Sequence, residues 1–335
     1  MSWLNASLNA YLFVTHGSRD PRPHRTVLQL AERCRDRLAQ AHFARPHFVT
    51  SSLAEPISAS RRAMRSATLN QQTMIGTAAL ECMPEPLHQQ ISHFAQTVAN
   101  AGGKTVTIVP LFLLPGVHVM EDLPREMAIA QQALVTAQTP ITLKMIPFLG
   151  SNPELLPLLQ QQFEQASVPP LTPPLGSQLS PQTLEPPQTL EPPPYRILLA
   201  HGSRRPGGNA IVEQLAHDLD AHVAYWSMAP SLEDCLNDCL NNCLPPCPRG
   251  GLNGETTDPG TGNAINSPLS PPPRAPIRRM VILPYFLSEG GITDAIVQQV
   301  RSWSNLFNQP QVQLLPTLDA NPALVDLILK RLNNE

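Results

Sequence analysis

The chain of 335 residues exceeds the roughly 100–200 residues of a single domain, so two cores are expected. A formal net charge of −3, with 15% charged residues, leaves no broad basic footprint for nucleic acid or an anionic membrane, and no apolar run approaches the roughly 20 residues that cross a bilayer. The N-terminus has no basic region followed by a long apolar core, and six cysteines in this length do not make a disulfide scaffold, so a cytoplasmic protein is expected.

Short apolar runs alternate with longer amphipathic ones, the pattern of strand and helix in succession. Leu12 to Thr15 reads as a first strand. Thr26 to Gln40 reads as a helix, with Val27, Leu30, Ala31, Cys34 and Leu38 at helical spacing. Thr73 to Leu80 is a second strand and Pro86 to Asn100 a second helix, which Gly102-Gly103 stops. Thr105 to Leu113 is a third strand, Glu121 to Thr136 a helix, Ile141 to Ile146 a strand, and Pro153 to Gln165 a last helix capped by Asn152. This is a four-stranded parallel α/β unit with helices on both faces.

The same unit is written again from Ile197 to about Leu332. His16-Gly17-Ser18-Arg19 recurs at His201, each copy after a short apolar run. Val109-Pro110-Leu111-Phe112-Leu113 recurs as Leu283-Pro284-Tyr285-Phe286-Leu287, and Pro147 to Leu155 recurs as Pro316 to Leu324. Three landmarks in one order argue for internal duplication. The 38 prolines concentrate in two stretches: residues 167–194, an extended inter-domain linker, and about 245–276, a surface insertion without packed structure. The expected organisation is an N-terminal domain at 1–166, the linker, and a C-terminal domain at 195–335.

In an open parallel sheet, ligands bind beyond the carboxyl ends of the strands. His16 follows the first strand, Glu81 ends the second, and His118 follows the third, so two imidazoles and a carboxylate are expected over one edge. Two nitrogens and an oxygen suit a first-row divalent ion, and so few protein ligands leave it open positions. A histidine at a strand end can instead simply bond loop backbone. Ser18 and Arg19 are either the first turn of a βα loop or, with backbone N–H groups near the helix start, a holder of a ligand carboxylate or phosphate.

The residues resemble the sirohydrochlorin cobaltochelatase and ferrochelatase family of class II chelatases. The resemblance rests on His16-Gly17-Ser18-Arg19, on Leu80-Glu81, and on the long run Pro110-Leu111-Phe112-Leu113-Leu114-Pro115-Gly116-Val117-His118-Val119-Met120-Glu121-Asp122-Leu123-Pro124. It implies insertion of Co²⁺ or Fe²⁺ into sirohydrochlorin without a nucleotide or other cofactor, in cobalamin or sirohaem biosynthesis. It implies that His16 and His118 are the metal-binding and proton-accepting pair, with Glu81 as acidic partner, and that the tandem chain is the long form, supplying both halves of one cleft. Ser18, Arg19, Gly116 and His201 are assigned to substrate binding. Neutral imidazoles suit this transfer because they coordinate reversibly and have an unperturbed pKa of about 6.5. Arg61, Arg62 and Arg65 are either anchors for the carboxylate-rich macrocycle or a solvated face.

The copies disagree where the chemistry would be done. Gly290-Gly291-Ile292 aligns with Gly116-Val117-His118, so isoleucine stands for the second histidine. Around Tyr225-Trp226-Ser227-Met228 no carboxylate matches Glu81, and large apolar groups are expected in its place. His201 alone survives, so the N-terminal domain is expected to carry the chemistry and the C-terminal one to close the pocket by apolar contact. Cys235, Cys239, Cys243 and Cys247 recur every four residues, either as small core residues or as a soft-metal or iron–sulfur site. A fused pair needs no second chain to complete its cleft, so a monomer is expected. The alternative function is a metallochaperone or tetrapyrrole-binding protein that holds its cargo without turnover.

Overall fold

Alternation along the first strand sets the layering. In the computed structural model, which describes residues 8–43, 73–167, 193–243, 279–306 and 310–333, strand β1 (Asn9–Thr15) sends Leu12 and Val14 into one apolar layer and Phe13 into another. A strand apolar on both faces must be covered on both, which is the condition of a parallel sheet between helices. β1 lies between β2 (Thr73–Ala79) and β3 (Thr105–Pro110), with β4 (Thr142–Met145) at the far edge of β3, and every pairing is parallel. The second half repeats the arrangement with β5 (Tyr195–Ala200) between β6 (His222–Tyr225) and β7 (Arg279–Pro284), and β8 (Gln311–Leu314) beyond β7. The fold is thus two four-stranded parallel α/β units in tandem.

The two units share one core. Phe13, Leu30 and Phe163 of the first half are fully buried in the same cluster as Leu198, Val212 and Leu324 of the second. Each sheet has a separate outer layer, exemplified by Ile91 and Leu123 in one half and Ile296 and Leu236 in the other. Polar contacts reinforce the joint: Arg22 pairs with Asp294, Arg205 with Glu121 at 3.0 Å, and Lys330 with Glu154 at 3.1 Å. Among the described residues no helix is long and apolar enough to cross a membrane.

Element limits depart from the sequence reading in three instructive places. The first helix spans Pro21–Phe43, starting before Thr26, because Pro21 and Pro23 occupy a first turn whose N–H groups need no partner. The third strand stops at Pro110 instead of Leu113, its last rung running from Leu111 N–H to Val14 O at 2.8 Å. The helix expected from Glu121 begins at Leu123, after a single wide π-turn at His118–Asp122 closed by Leu123 N–H donating to His118 O. Asn152 does accept from Glu154 N–H at 3.0 Å ahead of the helix Leu155–Ser167. Arg61, Arg62 and Arg65, linker residues 168–192 and the whole 245–276 insertion lie outside the described residues.

The cysteine series divides. Cys235 and Cys239 are buried in the outer core of the second half, and Cys235 Sγ donates to Val223 O at 3.4 Å. Burial pushes the Cys235 thiol up to about 11, the opposite of what a thiolate ligand needs. These two positions pack as small apolar residues; the Cys243 side chain and Cys247 are outside the described residues.

Candidate metal centre

The sheet order puts β1 at the point where the connections diverge to β2 on one side and β3 on the other, the crevice that open α/β sheets offer to ligands. His16 is the first residue past β1, and its carbonyl accepts from Glu81 N–H at 2.8 Å, tying the ends of β1 and β2 together. Gly17 then turns at φ +93°, and a Cβ there would lie 2.0 Å from Glu81 O. Only glycine fits so close a crossing of two backbones. His118 arrives from β3 through the Leu111–Val117 loop and opens the π-turn.

The consequence is convergence. One ligand atom from each of His16, Glu81 and His118 lies within 4.8 Å of the other two, the one such group of three among the described residues. The imidazole rings stand edge to face, 4.5 Å between centroids and 87° between planes. His118 Nδ1 lies 2.9 Å from Asp122 Oδ2, and Asp122 also accepts from Arg125 at 2.7 Å. His16 Nδ1 lies 3.1 Å from Gly17 O. A carbonyl can only accept, so this contact assigns the His16 proton to Nδ1, and the Asp122 carboxylate does the same for His118. Among the described residues both Nε2 lone pairs are left free, the arrangement in which an outer partner fixes the tautomer of a metal-binding histidine.

A cleft of about 610 Å³ opens beside this group and is lined from both halves, a volume within the roughly 300–1,000 Å³ of small-molecule sites. His16, Ser18, Gly116 and His118 line it, as does His201. A Cβ on Gly116 would meet nothing within 4 Å, so this glycine leaves open space and is not demanded by packing. Ser18 Oγ accepts from Asp20 N–H at 3.0 Å. Arg19 is exposed and is not among the lining residues, whereas Arg22 reaches across to the other half. His24, which sequence reasoning passed over, also faces the cleft, from the first turn of its helix.

The second half presents a different surface. Ile292 lines the cleft where the repeat places the counterpart of His118, since Asp294 N–H bonds Gly290 O as Met120 N–H bonds Gly116 O. The counterpart of Glu81 is identified by backbone: Ser227 N–H donates to His201 O at 3.0 Å, as Glu81 N–H donates to His16 O. The sequence reading put large apolar groups there; the residue in register is a serine, because Tyr225 and Trp226 take the last rungs beside β5. His201 Nδ1 lies 3.0 Å from Gly202 O, the same contact that His16 makes.

A family model described as CbiX matches residues 58–166 and 273–335, just over half of the chain. Comparison with curated protein sequences gives no significant match. Among solved structures, the chain is similar to SirB from Bacillus subtilis with Fe³⁺, at 15% identity and a TM-score of 0.59, covering 98% of this chain and 95% of that one. It is similar to the sirohydrochlorin chelatase SirB from Bacillus subtilis subspecies spizizenii in complex with cobalt, at 16% identity and a TM-score of 0.55, covering 98% and 94%. A multi-domain protein of Deinococcus radiodurans described as structurally similar to chelatases matches at 17% identity and a TM-score of 0.51, covering 97% of this chain and 54% of that one. At these identities the likeness is one of fold.

Proposed function

The chain belongs to the CbiX family, and from that premise we propose that it is a sirohydrochlorin chelatase, inserting Co²⁺ or Fe²⁺ into the macrocycle without a nucleotide, toward cobalamin or sirohaem. The observation that carries the reading is the convergence of His16, Glu81 and His118 beside a cleft large enough for a small-molecule ligand. Two solved relatives in fold are described with Fe³⁺ and with cobalt.

The two Nε2 atoms hold the incoming cation, which is substrate and not a resident cofactor. Two nitrogens and one carboxylate fall short of a closed four-ligand site, so the ion keeps positions for macrocycle nitrogens. Metallation replaces two pyrrole N–H bonds by metal–nitrogen bonds and releases two protons. As the ring nitrogens take over the ion, a freed imidazole accepts a proton, and exposed Glu81 accepts or passes one to solvent. The domain at 1–166 supplies these groups. The domain at 195–335 closes the cleft with Ile292, Phe286 and Tyr285, a surface suited to an apolar ring face. One chain then completes the cleft, and a monomer suffices.

Mixing the protein with sirohydrochlorin and excess Co²⁺ or Fe²⁺ and following the macrocycle spectrum tests the proposal. Many equivalents of metallated product per chain are expected, faster than in protein-free buffer. A change that stops at one equivalent would make the protein a carrier, and the same assay ranks the two metals.

A further inference from the structure

At residues that the metal cleft does not share, the tandem repeat is broken in a second way. The repeat aligns Pro147–Leu155 with Pro316–Leu324, so Ser151 corresponds to Ala320 and Glu154 to Ala323; extended into the helices that follow, it pairs Gln161 with Lys330 and Gln162 with Arg331. On one side of the joint the polar partners are intact: Lys330 Nζ lies 3.1 Å from Glu154 Oε2, and an Arg331 nitrogen donates to Ser151 Oγ at 3.1 Å. On the other side both acceptors have become alanine and both cations glutamine.

What remains there is a cavity of about 410 Å³, bounded by the helix Leu155–Ser167 and the turn after β8. Gln162 lines it, is 7% exposed, and its Oε1 has no hydrogen-bond partner among the described residues. A buried amide oxygen without a partner calls for a specific reason, since nearly all such groups are satisfied. Gln161, Gln165, Gln313 and Asn321 add four more amides to the lining, Leu315 and Pro316 supply apolar surface, and among the described residues no lining residue carries a charge. The terminal torsion of glutamine is broad, so rotation about it can present either end of the Gln162 amide to the cavity.

We infer that this cavity is a second ligand site, separate from the metal cleft, for a small uncharged heterocycle whose edge carries adjacent hydrogen-bond donors and acceptors, as an amide, lactam or aminopyrimidine edge does. Amide side chains pair with such an edge through one donor and one acceptor each, and the apolar surface receives the ring face. The absence of lining charge disfavours the polyanionic macrocycle and metal ions alike. The volume holds one such ring with its substituents.

The test uses the full chain with nicotinamide, uracil and adenine as probes, followed by calorimetry and ligand-observed NMR. At least one probe is expected to bind. The double variant Gln162→Arg with Ala320→Ser, which rebuilds the contact the other half already has, is expected to weaken that binding at least tenfold while the circular dichroism spectrum and thermal midpoint are kept. Gln162→Leu, which removes the amide and adds no bulk, is expected to weaken it as well. Failure of all three probes to bind at millimolar concentration, or binding that survives both variants, would overturn the assignment. So would a crystal grown with the probes that shows only ordered water on the Gln162 amide. Metal insertion plays no part in these readouts.

Discussion

Asp122 stands one helical turn past His118 and accepts a hydrogen bond from its Nδ1 at 2.9 Å, while Arg125 holds the same carboxylate from the other side at 2.7 Å. The ring proposed to bind the cation is therefore oriented by a neighbouring carboxylate outside the group of three. Outer partners of this kind typically contribute about 10- to 100-fold in metal affinity or activity. Asp122→Asn removes the charge, and the new amide can present its nitrogen to Nδ1 and leave Nε2 protonated. We expect Co²⁺ affinity and the rate of insertion to fall by about that factor, and His118→Ala to abolish insertion altogether. Titration of each variant with Co²⁺, followed in its visible absorption, separates loss of metal binding from loss of turnover.

The two histidines that begin His-Gly-Ser-Arg make the same backbone contact, at 3.1 Å for His16 and 3.0 Å for His201, yet among the described residues only the first is grouped with a second imidazole and a carboxylate. Ile292 and Ser227 stand at the other two places in the second half. His201→Ala is expected to leave most of the metal insertion and to raise KM for the macrocycle, whereas His16→Ala removes turnover. Steady-state kinetics on the two variants decide it: a dead His201→Ala beside an active His16→Ala would move the chemistry to the second half.

Much of this site could be read from the chain because strand ends in a parallel sheet converge by topology alone. His16, Glu81 and His118 follow β1, β2 and β3, and any fold that orders those strands β2-β1-β3 must bring them to one edge. The role of Asp122 was not legible, since an (i, i+4) His–Asp pair carries no signal until the π-turn gives its geometry. The serine in register with Glu81 was missed for a similar reason. β6 has only four residues, and apolar pattern alone does not fix where so short a strand ends. The cavity at Gln162 was invisible because it is made by what the second copy lacks, and alanine where the first copy has Ser151 and Glu154 reads as an ordinary helix start.

The cysteines provide a chemical check on the packing. Burial pushes Cys34 up to about 12 and Cys235 up to about 11, so neither supplies thiolate near neutral pH. Cys82, next to Glu81, is exposed. Iodoacetamide on the native protein is expected to alkylate Cys82 and spare Cys34 and Cys235, with all three reacting after denaturation. Peptide mass spectrometry over a time course reads this out, and a Cys235 that reacted as fast as Cys82 would contradict the core placement.

The joint between the halves carries an acid-sensitive clamp. Arg22 bonds Asp20 in its own half and Asp294 in the other, and the guanidinium holds the Asp20 carboxyl down from its ordinary value of 3.8 to about 2 and lowers Asp294 in the same direction. A carboxylate whose folded pKa lies below its unfolded one stabilises the fold above the unfolded value, and that contribution is lost as pH falls through the folded value. Asp294 is exposed and Asp20 half-buried, so solvent screens the effect and the contribution is modest. Between the ordinary value of 3.8 and about 2, the wild type should lose thermal stability more steeply than Arg22→Gln, in which both carboxylates lose the guanidinium and Asp20 keeps only the backbone N–H of residue 22. Added salt should narrow the difference, because the pair is open to counter-ions. Melting curves of the two proteins across that interval test the sign: an Arg22→Gln protein that lost stability as steeply as the wild type would show that these carboxylates do not hold the halves together.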